Sequence, residues 1–345
     1  MLPVFKRLVS FFLAALLVGW GSSLSLVQAT DTAQVASLGP SQLHLGFDYE
    51  KSVIRPNAYI DRERETKNYV VQSLSFPSIG DNGQRGNLVT ALYYQSQRPG
   101  KKKLVVVLPI WGTHTYPSRK ITESLMDYSD GEMNILRILG KDYLFDWDTM
   151  SAISSEQELI AVSRQMVERV RTHVKDVRRV IDWAEAQPGV DPNRIGLIGF
   201  SLAATIASLV VENEPRIGAS ALAMGGANIN EMFASCFGRA KETREAITER
   251  LGWSRETFER KLAQPLAPIN PASFAGQANP DRILMFDARY DTCMPRTSRE
   301  ALWQALGQPQ RITWPHNHKM AFLTMTFLGG NTMQRKIYQF LDETL

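Results

Sequence analysis

The spacing of apolar positions changes several times along the chain, and each change marks a different kind of element. Short apolar runs at about 68–76, 88–95, 103–109 and 142–147 predict strands. They are separated by punctuation such as Gly80-Asp81-Asn82-Gly83 and Pro99-Gly100. The early runs suit an antiparallel start to a sheet. From about Ser155 to Ala186 the spacing becomes three and four residues, through Leu159, Val162, Met166, Val170, Val174, Val177, Ile181 and Ala184. This predicts a long amphipathic helix lying on the sheet, ended by Pro188-Gly189. An apolar strand, Arg194 to Phe200, then runs into a helix from Leu202 to Val211 that is apolar on nearly all sides and so predicted to be buried. A helix, a buried strand and another helix in succession predict an α/β protein with a mostly parallel sheet flanked by helices.

Residues from about 228 to 268 interrupt that alternation. They are charged and helix-favouring, with apolar positions at Met232, Phe233, Phe237, Ile247, Leu251, Trp253, Phe258 and Leu262. Gly252 punctuates them and Pro265 ends them. We read them as a helical insertion between two core strands. A further strand-like run, Arg282 to Asp291, precedes Thr292-Cys293-Met294-Pro295 and a helical stretch from about Thr297 to Leu306. The run Arg311 to Pro315 then leads into His316-Asn317-His318.

Candidate chemistry sits at the ends of these strands. Gly199-Phe200-Ser201-Leu202-Ala203 puts a serine between small residues on a strand-to-helix turn, where its Oγ is exposed and the following N–H can face developing negative charge. Glycine is usual at the last small position, and here it is Ala203. Asp291 lies just beyond the next candidate strand, and His318 on the loop after the one following, so the order is Ser, Asp, His. Asp287 and His316 are the rival acid and base, and Asp287 serves alternatively as a structural partner.

That order, with each member at the carboxyl end of a separate strand, resembles the α/β-hydrolase superfamily. The resemblance covers most of the chain after about residue 68. It is most specific at Gly199 to Ala203, Asp291 to Pro295 and His318. Gly-Phe-Ser-Leu-Ala, preceded by Asp-Pro-Asn-Arg-Ile-Gly-Leu-Ile-Gly, looks like the branch that holds dienelactone-hydrolase-like esterases and prolyl-oligopeptidase-like peptidases. The resemblance implies an α/β-hydrolase fold with a helical cap at about 228–268, lying over the site. It also implies a Ser201, His318 and Asp291 triad that cleaves a small-molecule carboxylic ester through an acyl-enzyme, without a cofactor. An oxyanion hole would use the backbone N–H of Leu202 and of Trp111, with Ile110 as second choice for the latter. Peptidase, amidase and acyltransferase activities are alternatives on the same fold, and a triad-degenerate binding protein is a third class. His114, on the Trp111 loop, reads as a pocket residue.

Composition narrows the setting. A chain of 345 residues with 44% apolar content can bury one large core, and residues 30–345 form one hydrolase domain in this reading. Lys6 and Arg7, the apolar stretch Leu8 to Trp20 and the small residues around Ala29 have the three parts of a secretory signal peptide. Cleavage after Ala29 would leave a periplasmic or secreted mature chain with a formal net charge near +2, down from +4. The apolar stretch is shorter than the ~20 residues of a spanning helix, so no membrane span is expected in the mature chain. Basic and acidic residues interleave, which gives no stripe for nucleic acid. Cys236 and Cys293 are either a disulfide in an oxidising compartment or two buried thiols. Neither has a C-x-x-C partner, so no metal site is expected.

Overall fold

The computed structural model describes residues 45–80, 88–109, 116–140, 144–324 and 332–345. Its centre is a sheet of nine strands: β1 (Asn57–Ile60), β2 (Tyr69–Pro77), β3 (Leu88–Ser96), β4 (Lys102–Val107), β5 (Met133–Ile138), β6 (Val190–Phe200), β7 (Ile217–Ala223), β8 (Ile283–Ala288) and β9 (Gln310–Trp314). They lie in the order β1-β2-β3-β5-β4-β6-β7-β8-β9. The first three strands run antiparallel, and β3 meets β5 antiparallel. From β5 to β9 every pairing is parallel, so the loops after β4, β6, β8 and β9 all open at one edge. In an open parallel sheet that edge is where chemistry gathers.

Ten α-helices accompany the sheet among the described residues: α1 (Tyr116–Ser129), α2 (Trp147–Ser151), α3 (Glu156–Glu185), α4 (Leu202–Asn213), α5 (Ile229–Ser235), α6 (Arg239–Leu251), α7 (Arg255–Leu266), α8 (Arg296–Ala305), α9 (His318–Leu323) and α10 (Thr332–Thr344). One face of the sheet buries Leu104, Val106, Ile195 and Leu197 against the apolar stripes of α3 and α4. The other buries Val105, Val107, Ile198 and Phe200 against Ile121 and Leu125 of α1 and Ile337 and Leu341 of α10. Alternate residues of β4 and β6 therefore face opposite cores, as expected of strands covered on both sides. Helix α3 starts on a cap in which the Ser155 side chain accepts from Glu158 N–H, and its apolar positions match the expected stripe.

The apolar pattern predicts neither β1 nor β7, and one strand it does predict lies elsewhere. Within 142–147, residues 144–146 form no strand and Trp147 opens α2, while the strand of this region is Met133–Ile138. Its apolar run is broken by Asn134 and Arg137, both buried. Asn134 is accommodated in the sheet through long-range bonds, accepting from Ser96 N–H and donating to Gly189 O. Pro265 also differs from expectation, since it lies inside the last turn of α7, which closes at Leu266.

Candidate active site

Ser201 sits between β6 and α4 with φ 56° and ψ −128°, a conformation rarely adopted by a residue with a side chain. The turn is held by backbone pairing and by tight packing. Ser201 N–H donates to Ala223 O at 2.8 Å, extending the β6–β7 ladder one residue beyond the strand. A Cβ at Gly199 would lie 2.4 Å from Ala203 O, and one at Gly225 would lie 2.8 Å from the Ala204 Cβ. Strand and helix thus approach more closely than any side chain at those positions would permit. Leu202 opens α4, so its N–H belongs to the first turn, which has no acceptor within the helix.

The acid and the histidine come from the next two parallel strands. Arg289 N–H donates to Trp314 O at 2.7 Å and Tyr290 N–H to His316 O at 2.9 Å. These bonds continue the β8–β9 pairing into the two loops and hold them side by side. Asp291 follows directly; its Oδ1 accepts from Cys293 N–H at 2.8 Å and Met294 N–H at 2.9 Å, which aims Oδ2 away from its own loop. That oxygen lies 2.6 Å from His318 Nδ1, and His318 Nε2 lies 3.0 Å from Ser201 Oγ. His318 is the first residue of α9, whose start is capped by the Asn317 side chain accepting from Met320 N–H. Asp291 and His318 are 5% and 6% exposed, so their contact is shielded from water while Ser201 stays partly open.

The rival residues have other surroundings. Asp287, at the end of β8, is buried with Arg299 Nη1 at 3.6 Å and Arg311 Nη1 at 3.5 Å. Burial outweighs both guanidinium groups and pushes its carboxyl up to about 6. The His316 ring packs edge-on to Trp314, with centroids 6.1 Å apart. Trp111, Ile110 and His114 lie outside the described residues, as do residues 1–44 with the proposed leader.

Sequence reasoning missed the roles of three side chains, Arg299, Phe322 and Phe237. Arg299, buried on α8, donates from Nε to Met294 O at 3.0 Å and from Nη2 to Arg289 O at 3.3 Å, so one side chain braces both ends of the acid loop. The rings of Phe322 and Phe237 meet the His318 imidazole edge-on, with centroids 5.2 and 6.0 Å away. Cys236 and Cys293 form a disulfide, which joins the segment after α5 to the acid loop. Of the two readings open for these cysteines from sequence, a disulfide or two buried thiols, the disulfide is the one found.

A serine, an imidazole and a carboxylate in series at these distances can activate a hydroxyl, whatever bond is attacked. Comparison with known proteins agrees with the fold that carries them. A model of the Dienelactone hydrolase family matches residues 89–235, and one of X-Pro dipeptidyl-peptidase (S15 family) matches residues 163–342, more than half of the chain. The chain belongs to the α/β-hydrolase superfamily. By the longer match it is a member of the S15 family in sequence, and the bond it cleaves is a property of the site rather than of that ancestry.

Among solved structures, the acetyl xylan esterase from Paenibacillus sp. R4 superposes with a TM-score of 0.62 at 14% identity, covering 93% of this chain and 96% of that one. Acetyl Xylan Esterase 1 from Thermoanaerobacterium sp. JW/SL YS485 gives 0.59 at 15% identity, covering 87% and 93%. At these identities the likeness is one of fold. Two uncharacterized proteins of Mycobacterium tuberculosis are 27% identical over 146 residues, 42% of this chain, and the match spans about a third (32%) of their own length. No helix among the described residues is long and apolar enough to cross a membrane.

Proposed function

We propose that this hydrolase is a serine esterase in which Ser201 is the nucleophile, His318 the general base and acid, and Asp291 the partner that orients the imidazole. The observation that carries the reading is the continuous series Ser201 Oγ, His318 Nε2, His318 Nδ1 and Asp291 Oδ2, with its 3.0 and 2.6 Å contacts, on a strained elbow. Ser201 Oγ attacks the ester carbonyl carbon and passes its proton to His318 Nε2. The Leu202 N–H at the start of α4 donates to the oxyanion. Collapse breaks the bond to the alcohol oxygen, which takes the proton back from His318 and leaves as free alcohol. Water then repeats the sequence on the acyl-serine, releasing the carboxylic acid and restoring Ser201. The esterase fold neighbours support ester over amide as the bond cleaved.

The test is peptide-mapped labelling by a fluorophosphonate. One adduct on Ser201 is expected, absent from Ser201→Ala and weakened far more by His318→Ala than by His316→Ala. A folded protein that takes no adduct at Ser201 overturns the reading. Amide cleavage is the second reading, favoured by the S15 match over 163–342. Turnover of a prolyl anilide faster than that of an acetate ester would select it.

Export is part of the same proposal. The Cys236–Cys293 disulfide supports an oxidising compartment, and the leader pattern of residues 1–29 supports the route. A mature chain beginning after Ala29 in a periplasmic or culture fraction is the expected result of N-terminal sequencing.

A further inference from the structure

Phe237 is a large apolar side chain held open to solvent at the edge of the proposed base. It remains 37% exposed while its ring lies edge-on to His318. Such a ring would ordinarily gain by turning inward, yet its backbone is restrained on both sides. On one side, Cys236 is bonded to Cys293, and its carbonyl accepts from Arg244 Nη1 at 3.2 Å. The same guanidinium nitrogen donates to Phe233 O at 2.9 Å, closing the segment onto α6. On the other side, Gly238 turns the chain at φ 64° into α6. The Lys319 ammonium lies 4.7 Å from the centre of the Phe237 ring, a cation over an aromatic face next to His318 itself. Phe322, half-buried on α9, adds a second ring against the imidazole.

The position of these rings decides what they touch. In the proposed reaction His318 returns its proton to the alcohol oxygen, so groups packed on the imidazole border the alcohol half of an ester rather than its acyl half. We infer that Phe237, anchored by the Cys236–Cys293 bridge, is a specificity-determining wall that favours esters with an aromatic or similarly bulky apolar alcohol. The inference rests on the esterase reading of Ser201 and goes beyond it. The disulfide serves two purposes here: it carries Phe237, and its other cysteine is the residue whose N–H donates to Asp291.

The test compares benzyl acetate with ethyl acetate, which share an acyl group and differ in the alcohol. In Phe237→Ala the ratio of kcat/KM for benzyl over ethyl acetate is expected to fall about tenfold, the scale of a lost apolar contact in a binding pocket. Phe237→Tyr is expected to restore most of it. The Cys236→Ala/Cys293→Ala pair is expected to lower the same ratio with Phe237 still present. A ratio in Phe237→Ala within about twofold of wild type, or an equal loss on both esters, overturns the inference even if the enzyme hydrolyses both. Fluorophosphonate labelling of each variant separates the two claims. Labelled enzymes with an unmoved ratio reject the wall alone, whereas a wild-type protein that takes no label at Ser201 rejects the esterase reading and the wall with it.

Discussion

The two halves of the site are built differently. The nucleophile half lies on the turn from β6 into α4, and its geometry follows from small residues packed where nothing larger fits: Gly199 under Ala203, and Gly225, just past the neighbouring β7, against Ala204. The acid and histidine half is assembled from loops 27 residues apart in sequence and held by cross-links. Its restraints are the β8–β9 ladder continued through Arg289 and Tyr290, the Arg299 side chain on two loop carbonyls, and the disulfide to Cys293. An elbow made by local sterics needs no partner beyond its neighbouring strand and helix. Loops with few local restraints depend on bonds from elsewhere to hold a carboxylate on target.

The comparison is sharpest where each half has one indispensable group. Asp291→Asn replaces the carboxylate on His318 Nδ1 with an amide, which favours the wrong imidazole tautomer. We expect kcat to fall by about ten-thousand-fold with the melting temperature little changed, measured on an acetate ester. A loss below about tenfold would mean that Asp291 does not orient the base. Gly199→Ala probes the other half. Its Cβ would meet backbone atoms, which cannot swing aside, and we expect about 3 kcal/mol of lost stability by urea unfolding together with loss of labelling at Ser201. Native-like stability there would show that the elbow relaxes more easily than its packing implies.

The last effect concerns Asp287, which lies against the Arg299 side chain beneath the acid loop. Burial raises the Asp287 carboxyl from its ordinary 3.8 to about 6. Between those values the native state keeps a proton that the unfolded chain has released, so this group's contribution to stability falls as pH rises from about 4 to 6 and is level above. Asp287→Asn should remove that slope, a difference of about 3 kcal/mol across the window. Urea midpoints measured from pH 4 to 7 would detect it, and an unchanged slope would assign the pH dependence to other groups.

How much could be read beforehand differs in the same way between the two regions. The long helix, the elbow strand and the buried helix after Ser201 follow from periodicity, because neighbours in sequence there are neighbours in space. The order Ser201, Asp291, His318 was legible too, since in a parallel sheet each residue just past a strand lands on the same edge. Strand β5 was not, because Asn134 and Arg137 disguise its apolar run, and the bonds that offset the burial of Asn134 come from residues far away in the chain. The donor sought at Trp111 lies outside the described residues and stays an expectation from sequence.

Written in the chain alone were the long helix, the elbow strand with the buried helix after it, the small residues that make the turn, and a short list of acids and bases. Local sterics and periodicity act over a few residues, and a linear string records them. Tertiary structure decided that Asp291 rather than Asp287 meets His318, that the two cysteines are joined, and that Arg299 and Phe237 belong beside the site. Those outcomes depend on distances between segments that only the packing of the sheet and its helices brings together.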